Sequence, residues 1–182
     1  MDIEKLIASG VIKNELEYQR AMVANRKLRL LAESSAHFKN LRSKLLELLE
    51  KYEKIVWSDA DTVSVAQVDQ SDLAAAIAEK ERIFFEKRKK TIQRKLKEFN
   101  LTQEELGLIL GHKSKTHMSE LINGVKPFTL TDIVVISKIF KLEIDLLIPK
   151  YLTYDKIDRI NTAIDVINKP KLNTAKRELA LC

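Results

Sequence analysis

The sequence predicts an all-α protein: an N-terminal region of paired helices, a compact five-helix unit in the second half, and a C-terminal helical tail. Three observations carry that prediction. Only 4 Gly and 3 Pro occur in 182 residues, about a third of average usage, so tight turns that need φ > 0 or a fixed φ must be few. Apolar residues make up 45% and charged residues 32%, which suits long amphipathic helices with one buried and one solvated face. The apolar positions step by three and four residues over long stretches instead of alternating.

Asn14 with Glu17 reads as an N-cap and its reciprocating third residue, opening a helix over about residues 15–33 that carries Tyr18, Ala21, Met22, Leu28 and Leu31. Ser34 and Ser35 offer the next cap. Behind them Phe38, Leu41, Leu45, Leu48 and Tyr52 form a coiled-coil-like seam, so the two helices are expected to pack as an antiparallel hairpin. Residues 55–70, polar and β-branched around Thr62 to Val65, read as a linker with at most one short extended segment, and Trp57 within them as a packing anchor. Ser71 or Asp72 caps a third pattern, Leu73 through Phe99, which reads equally as one long helix or as two. The domain boundary is placed near Lys87, giving an N-terminal region at 1–86, a helical domain at 87–150 and a tail at 151–182.

Punctuation becomes dense after Asn100, where Gly107, Gly111 and Gly124 fall within 18 residues. Thr102 with Glu105 is a capping box for a short helix that stops at Gly111, a residue suited to the left-handed position beyond a helix end. A second short helix runs from about Ser114 to Asn123 and stops at Gly124. Thr129 with Asp132 caps a third, carrying Ile133, Ile136 and Ile139 or Phe140, and Glu143 to Ile148 forms the last, closed by Pro149. In the tail Thr153 caps a helix whose Ile157, Ile160, Ile164 and Ile167 make an apolar stripe ended by Pro170; residues 172–182 read as frayed. The stripe either covers the domain's own core or pairs with its copy, and dimerisation is the preferred reading.

Charge and motifs narrow the function. The net charge is +6, yet residues 1–79 hold 11 Lys/Arg against 13 Asp/Glu and residues 80–182 hold 21 against 13, so the basic surface belongs to the second half. No run approaches the ~18 apolar residues of a membrane span, and Met1 to Lys5 lacks the order of a secretion signal, so a cytoplasmic protein is expected. The single cysteine, Cys182, excludes an internal disulfide framework and a multi-cysteine zinc site. No P-loop, G-x-S-x-G, G-x-G-x-x-G or H-E-x-x-H occurs; His37, His112 and His117 have no ligand-spaced neighbour in sequence. Neither an enzyme, a metal site nor a cofactor is expected.

Two short helices joined by a turn, the second basic at its start, form a helix-turn-helix arrangement. If Met118, Leu121 and Ile122 face inward, then Lys115, Thr116, Ser119, Glu120 and Asn123 face outward. Lys donates to guanine, Glu accepts from cytosine and Ser or Thr does either, so this strip suits base edges in a major groove. Gln103, Lys113, Asn123, Lys126 and Thr129, the last with the N–H groups near it, are placed to hold phosphates and fix register.

The stretch Leu101-Thr102-Gln103-Glu104-Glu105-Leu106-Gly107, then Gly111, then Met118-Ser119-Glu120-Leu121-Ile122-Asn123-Gly124 resembles the repressor-like helix-turn-helix domains of the Cro/phage-repressor (XRE) family over residues 88–149. The resemblance implies that Gln103 touches the DNA backbone and that Lys115, Thr116, His117 and Glu120 occupy base-reading positions. The turn after Gly111 is one residue longer than the family's. Ile12-Lys13-Asn14-Glu15, Tyr18, Ala21 and Leu48-Leu49-Glu50-Lys51-Tyr52-Glu53 resemble the N-terminal part of HigA-type antitoxins. That likeness implies a protein that represses its own operon and neutralises a HigB-like mRNA-cleaving toxin; as a homodimer, its two-fold symmetry would call for an inverted-repeat operator in double-stranded DNA. The longer basic segment at Lys87 to Lys97 and the tail from Tyr151 depart from that family. The alternative is a free-standing XRE-family regulator whose N-terminal half is a sensor or protein-interaction module.

Overall fold

A computed structural model describes residues 1–58, 63–149, 152, 154–169 and 171–172. All regular structure among them is helical: α1 (Ile3–Ser9), α2 (Glu15–Leu31), α3 (Ala36–Val56), α4 (Val65–Glu98), α5 (Gln103–Ile109), α6 (Lys115–Asn123), α7 (Leu130–Phe140), a 3₁₀ turn (Ile144–Leu146) and α8 (Tyr154–Ile167). Two compact units result, residues 1–147 and 148–182.

Local chemistry explains most helix ends. The Asn14 side chain accepts from Glu17 N–H at the start of α2, Thr102 and Glu105 exchange both capping-box bonds at α5, and Thr129 and Asp132 do the same at α7. The short α1 has no counterpart in the sequence reading. Its signals are Asp2, which accepts from Lys5 N–H, and Gly10, which takes φ 70 beyond its end; seven residues carry too few periodic positions to stand out.

The third helical pattern differs most from expectation. Ser64, not Ser71 or Asp72, caps α4, accepting from Gln67 N–H. Much of the expected linker is therefore helix. Ser71 instead donates its hydroxyl to Glu15 at 2.8 Å, and Tyr52 donates to the other oxygen of the same buried carboxylate at 3.1 Å. The 34-residue α4 is continuous, about 51 Å long, so the boundary expected near Lys87 falls inside an unbroken helix. Residues 1–147 consequently form one body.

Its core explains why. Ile3, Leu6, Ile12, Ala21, Leu28, Phe38, Leu41, Leu45, Leu48 and Leu49 pack together, and Val125, which follows α6, is buried among them. Tyr18 stacks on Tyr52 at 4.9 Å between α2 and α3. Along α4, Ala74 and Ala78 are buried in the first half and Ile92 and Leu96 in the second, so one helix serves both ends of the core. The charged stretch of α4 hides Arg88, 5% exposed, with its guanidinium 4.7 Å from the Phe85 ring and 5.1 Å from the Phe128 ring. Burial lowers its pKa to about 10, with no carboxylate among the described residues offsetting the loss of solvation.

The second unit contains α8. Within it Ile164 is buried, whereas Val166 and Ile167 are exposed. The Thr153 cap, Pro170 and the frayed end at 173–182 lie outside the described residues.

Candidate nucleic-acid interface

The two glycines of the turn region do different physical work. Gly107 lies inside α5, where a Cβ would stand 2.6 Å from Met118 Cγ and 3.1 Å from the His112 carbonyl. Only a residue without a side chain lets α5 and α6 approach this closely. Gly111 adopts φ 80 and closes α5 with a paired end motif: its N–H donates to the Leu108 carbonyl and His112 N–H donates to the Gly107 carbonyl at 2.8 Å. The chain then turns over Lys113 and Ser114, and the Ser114 hydroxyl caps α6 through His117 N–H. At the other end, Gly124 N–H donates to Leu121 and Val125 N–H to Glu120, so α6 stops with the same geometry.

Helix α6 presents a narrower outer strip than the spacing predicts. Lys115 and Thr116 are exposed, His117 and Ser119 half-buried, and Met118, Leu121 and Ile122 buried. The Lys115 side chain is 82% exposed, its ammonium 2.5 Å from Glu104 on α5, a hydrogen bond that raises its pKa. Gln103, at the first position of α5, is half-buried, and Lys113 is exposed.

Two residues expected on the outer strip are elsewhere. Glu120 is 2% exposed. One carboxylate oxygen meets His37 Nε2 at 2.7 Å, and the other meets Lys126 Nζ at 2.9 Å and His117 Nδ1 at 3.3 Å. Burial opposes its ionisation, but the hydrogen bonds from Lys126 and His37, with the Lys126 charge and His117, outweigh that and hold its pKa below the usual 4.5. Its one-residue offset from the i, i+4 inner face leaves it beside the N-terminal helices, which helical periodicity within α6 cannot register. Asn123 is also buried, its amide donating to the Ser119 carbonyl at 2.8 Å and hydroxyl at 3.2 Å, so this side chain is committed within α6 and is not positioned for phosphate.

Lys126 is likewise held internally, 2.6 Å from Glu4 and 2.9 Å from Glu120; these bonds raise its pKa against the effect of burial. Thr129 spends its hydroxyl on Asp132 N–H and its own N–H on the Asp132 carboxylate. The helix-start amides of Leu130 and Thr131, which have no intrahelical acceptor, remain for an anion there.

The histidines also change character. His37 and His117 converge on Glu120, and His112 Nε2 lies 3.0 Å from Asp132; 83 and 20 residues separate the His37 and His112 pairs, beyond what sequence spacing reveals, whereas Glu120 lies three residues after His117 and is a neighbour at ligand spacing that the sequence reading passed over. Glu4, His37 and Glu120 offer three ligand atoms within 4.8 Å of one another, but the Lys126 ammonium already bridges both carboxylates.

The chain order, the close α5–α6 packing and the glycine-closed turn together match a known pattern: residues 92–147 fit the family model described as Helix-turn-helix. This segment is an XRE-type helix-turn-helix domain. It comprises the end of α4, then α5 to α7 and the 3₁₀ turn, with α5 and α6 as the two helices joined by the glycine-closed turn. No curated protein and no solved structure matches the chain. Among the described residues no helix is long and apolar enough to cross a membrane.

The helix-turn-helix domain does not stand apart from the N-terminal helices. Lys27 on α2 donates to the Asn123 carbonyl at 2.7 Å, Ile3 N–H donates to the Val125 carbonyl at 3.2 Å, and Glu4 and His37 complete the Glu120–Lys126 cluster. The C-terminal half of α6 is thus seated on α1, α2 and α3.

Proposed function

We propose that the protein is a sequence-specific transcriptional repressor that reads double-stranded DNA with the N-terminal half of α6. The observation that carries this reading is the outer strip of α6 in an XRE-type domain, with Lys115 and Thr116 exposed and Ser119 half-buried beside them. His117, half-buried against Glu120, is a marginal reader. Gln103, Lys113 and the start of α7 flank that strip as backbone-holding groups. A homodimer placing two such helices one turn of DNA apart, about 34 Å, would require an inverted-repeat operator. The apolar α8 stripe is the proposed dimer contact.

Within that class the chain is proposed to be a HigA-type antitoxin that represses its own operon and neutralises a HigB-like toxin. This finer reading is supported by the residues of the N-terminal resemblance, since Asn14, Tyr18, Ala21 and Tyr52 cap, pack and stack within the α2–α3 pair. Gel-shift titration against the upstream region of its own operon tests the DNA reading. Rescue of growth on co-expression with an adjacent small basic reading frame tests the antitoxin reading; no rescue with intact operator binding would favour a free-standing regulator.

A further inference from the structure

Between α2 and α4 runs an open groove of about 830 Å³, reached from the helix-turn-helix domain by Asn123 alone, whose carbonyl accepts from Lys27 at 2.7 Å. Its apolar floor includes Leu30, 64% exposed, and Ile83, 41% exposed. Six cations, Arg26, Lys27, Arg82, Lys87, Lys89 and Lys90, line it against two carboxylates, Glu79 and Glu86. Both carboxylates are already taken: Arg82 holds Glu79 at 2.7 Å and Lys27 holds Glu86 at 3.4 Å. Arg26, Lys87, Lys89 and Lys90 have no ion-pair partner among the described residues. Like charges gathered around exposed apolar side chains are unfavourable in the free protein, since they repel each other and the Leu and Ile surfaces stay wet.

We infer that this groove is the docking site for an acidic amphipathic helical segment of a partner protein. An apolar stripe would lie on Leu30 and Ile83 while Asp or Glu on its flanks meet Lys87, Lys89 and Lys90, the arrangement by which amphipathic helices occupy grooves. The groove is lined from Glu79 to Lys90 along α4, about 16 Å, which is three helical turns of the occupant. A nucleic-acid backbone satisfies the cations but leaves the apolar floor buried against phosphate and sugar, so the combination of floor and rim favours protein. The inference goes beyond the DNA reading and does not depend on it.

The test uses the full chain and three fluorescent 14-residue peptides, read by anisotropy without DNA. One carries Leu at i, i+3, i+4 and i+7 with Glu on the flanks; the second replaces every Glu by Lys; the third keeps the first composition with the Leu positions scattered. The acidic amphipathic peptide is expected to bind at least about tenfold more tightly than either control. Its affinity should fall about tenfold in Lys87→Glu/Lys90→Glu and in Leu30→Ser/Ile83→Ser, with thermal unfolding unchanged. In the unsubstituted protein the peptide should shield Lys87, Lys89 and Lys90 from acetylation. Equal binding of the three peptides, or no shielding, overturns the proposal. So does shielding of the same lysines by random-sequence duplex that the peptide cannot displace, which would assign the groove to DNA. Gel shift with operator is scored separately, so failure here leaves the DNA reading standing, and failure there leaves this one standing.

Discussion

Replacing Glu120 by Gln separates a base-reading carboxylate from one that joins two parts of the core. The substitution keeps volume and shape but removes a charge that is 2% exposed and meets Lys126 at 2.9 Å, His37 at 2.7 Å and His117 at 3.3 Å. Hydrogen bonds to a charged group contribute about 1.5–3 kcal/mol each, and breaking a buried pair by removing one partner costs about 3–5 kcal/mol. Lys126 retains Glu4 at 2.6 Å, and Gln can still accept from one neighbour, so a loss of about 2–4 kcal/mol is expected. For a chain of this size that lowers Tm by roughly 6–12 °C. The pH dependence gives a second readout. A carboxylate held below 4.5 when folded contributes stability that is complete above that value and is lost as pH falls through its folded pKa. Urea unfolding at pH 7 and at a series below pH 4.5 should therefore show Glu120→Gln weaker at neutral pH and the difference shrinking with acid. A variant as stable as the parent at pH 7, with its operator preference changed at a single base pair, would refute the reasoning and return Glu120 to the DNA.

Other expectations follow from individual contacts. Lys115→Ala should lower operator affinity by about tenfold to a hundredfold with the loss confined to one base position, while Glu104→Gln, which releases the Lys115 ammonium, should raise it; a gel-shift series over single-base operator variants checks both. Gly107→Ala places a methyl 2.6 Å from Met118 Cγ, so calorimetry should show about 1–3 kcal/mol of destabilisation from overpacking, with weaker DNA binding because α6 must shift. Gly124→Ala forces a side chain into φ 69 and should cost about 1–2 kcal/mol by the same measurement. Arg88→Met removes a buried cation without a carboxylate and is expected to leave stability at pH 7 equal or raised; a loss above about 2 kcal/mol by urea unfolding would mean that the Phe85 and Phe128 contacts outweigh its desolvation.

The helix-turn-helix was legible because its signals are local. A capping box spans three residues, as at Thr102 and Glu105, and a left-handed helix end needs only a glycine beyond the last turn, as at Gly111 and Gly124. The start of α4 was misplaced because Ser64 and Ser71 are both plausible caps, and the choice between them rests on the bond from Ser71 to Glu15, 56 residues away. Gly107 shows the two levels meeting. Its presence in a glycine-poor chain marks the spot, but the reason for it is the Met118 side chain on another helix.

By itself the sequence determined the helical class, most helix ends and the place of the helix-turn-helix in the chain, since caps, periodicity and glycine scarcity act over a few residues. Only the tertiary structure decided that the N-terminal helices and the helix-turn-helix domain form one body, and that Glu120, Asn123 and Lys126 belong to the joint between them. The physical reason is that a face of a helix is chosen by what packs against it. Periodicity within α6 distinguishes two sides of one cylinder; whether the second side meets water, DNA or Glu4 and His37 depends on residues some 80 to 120 positions away.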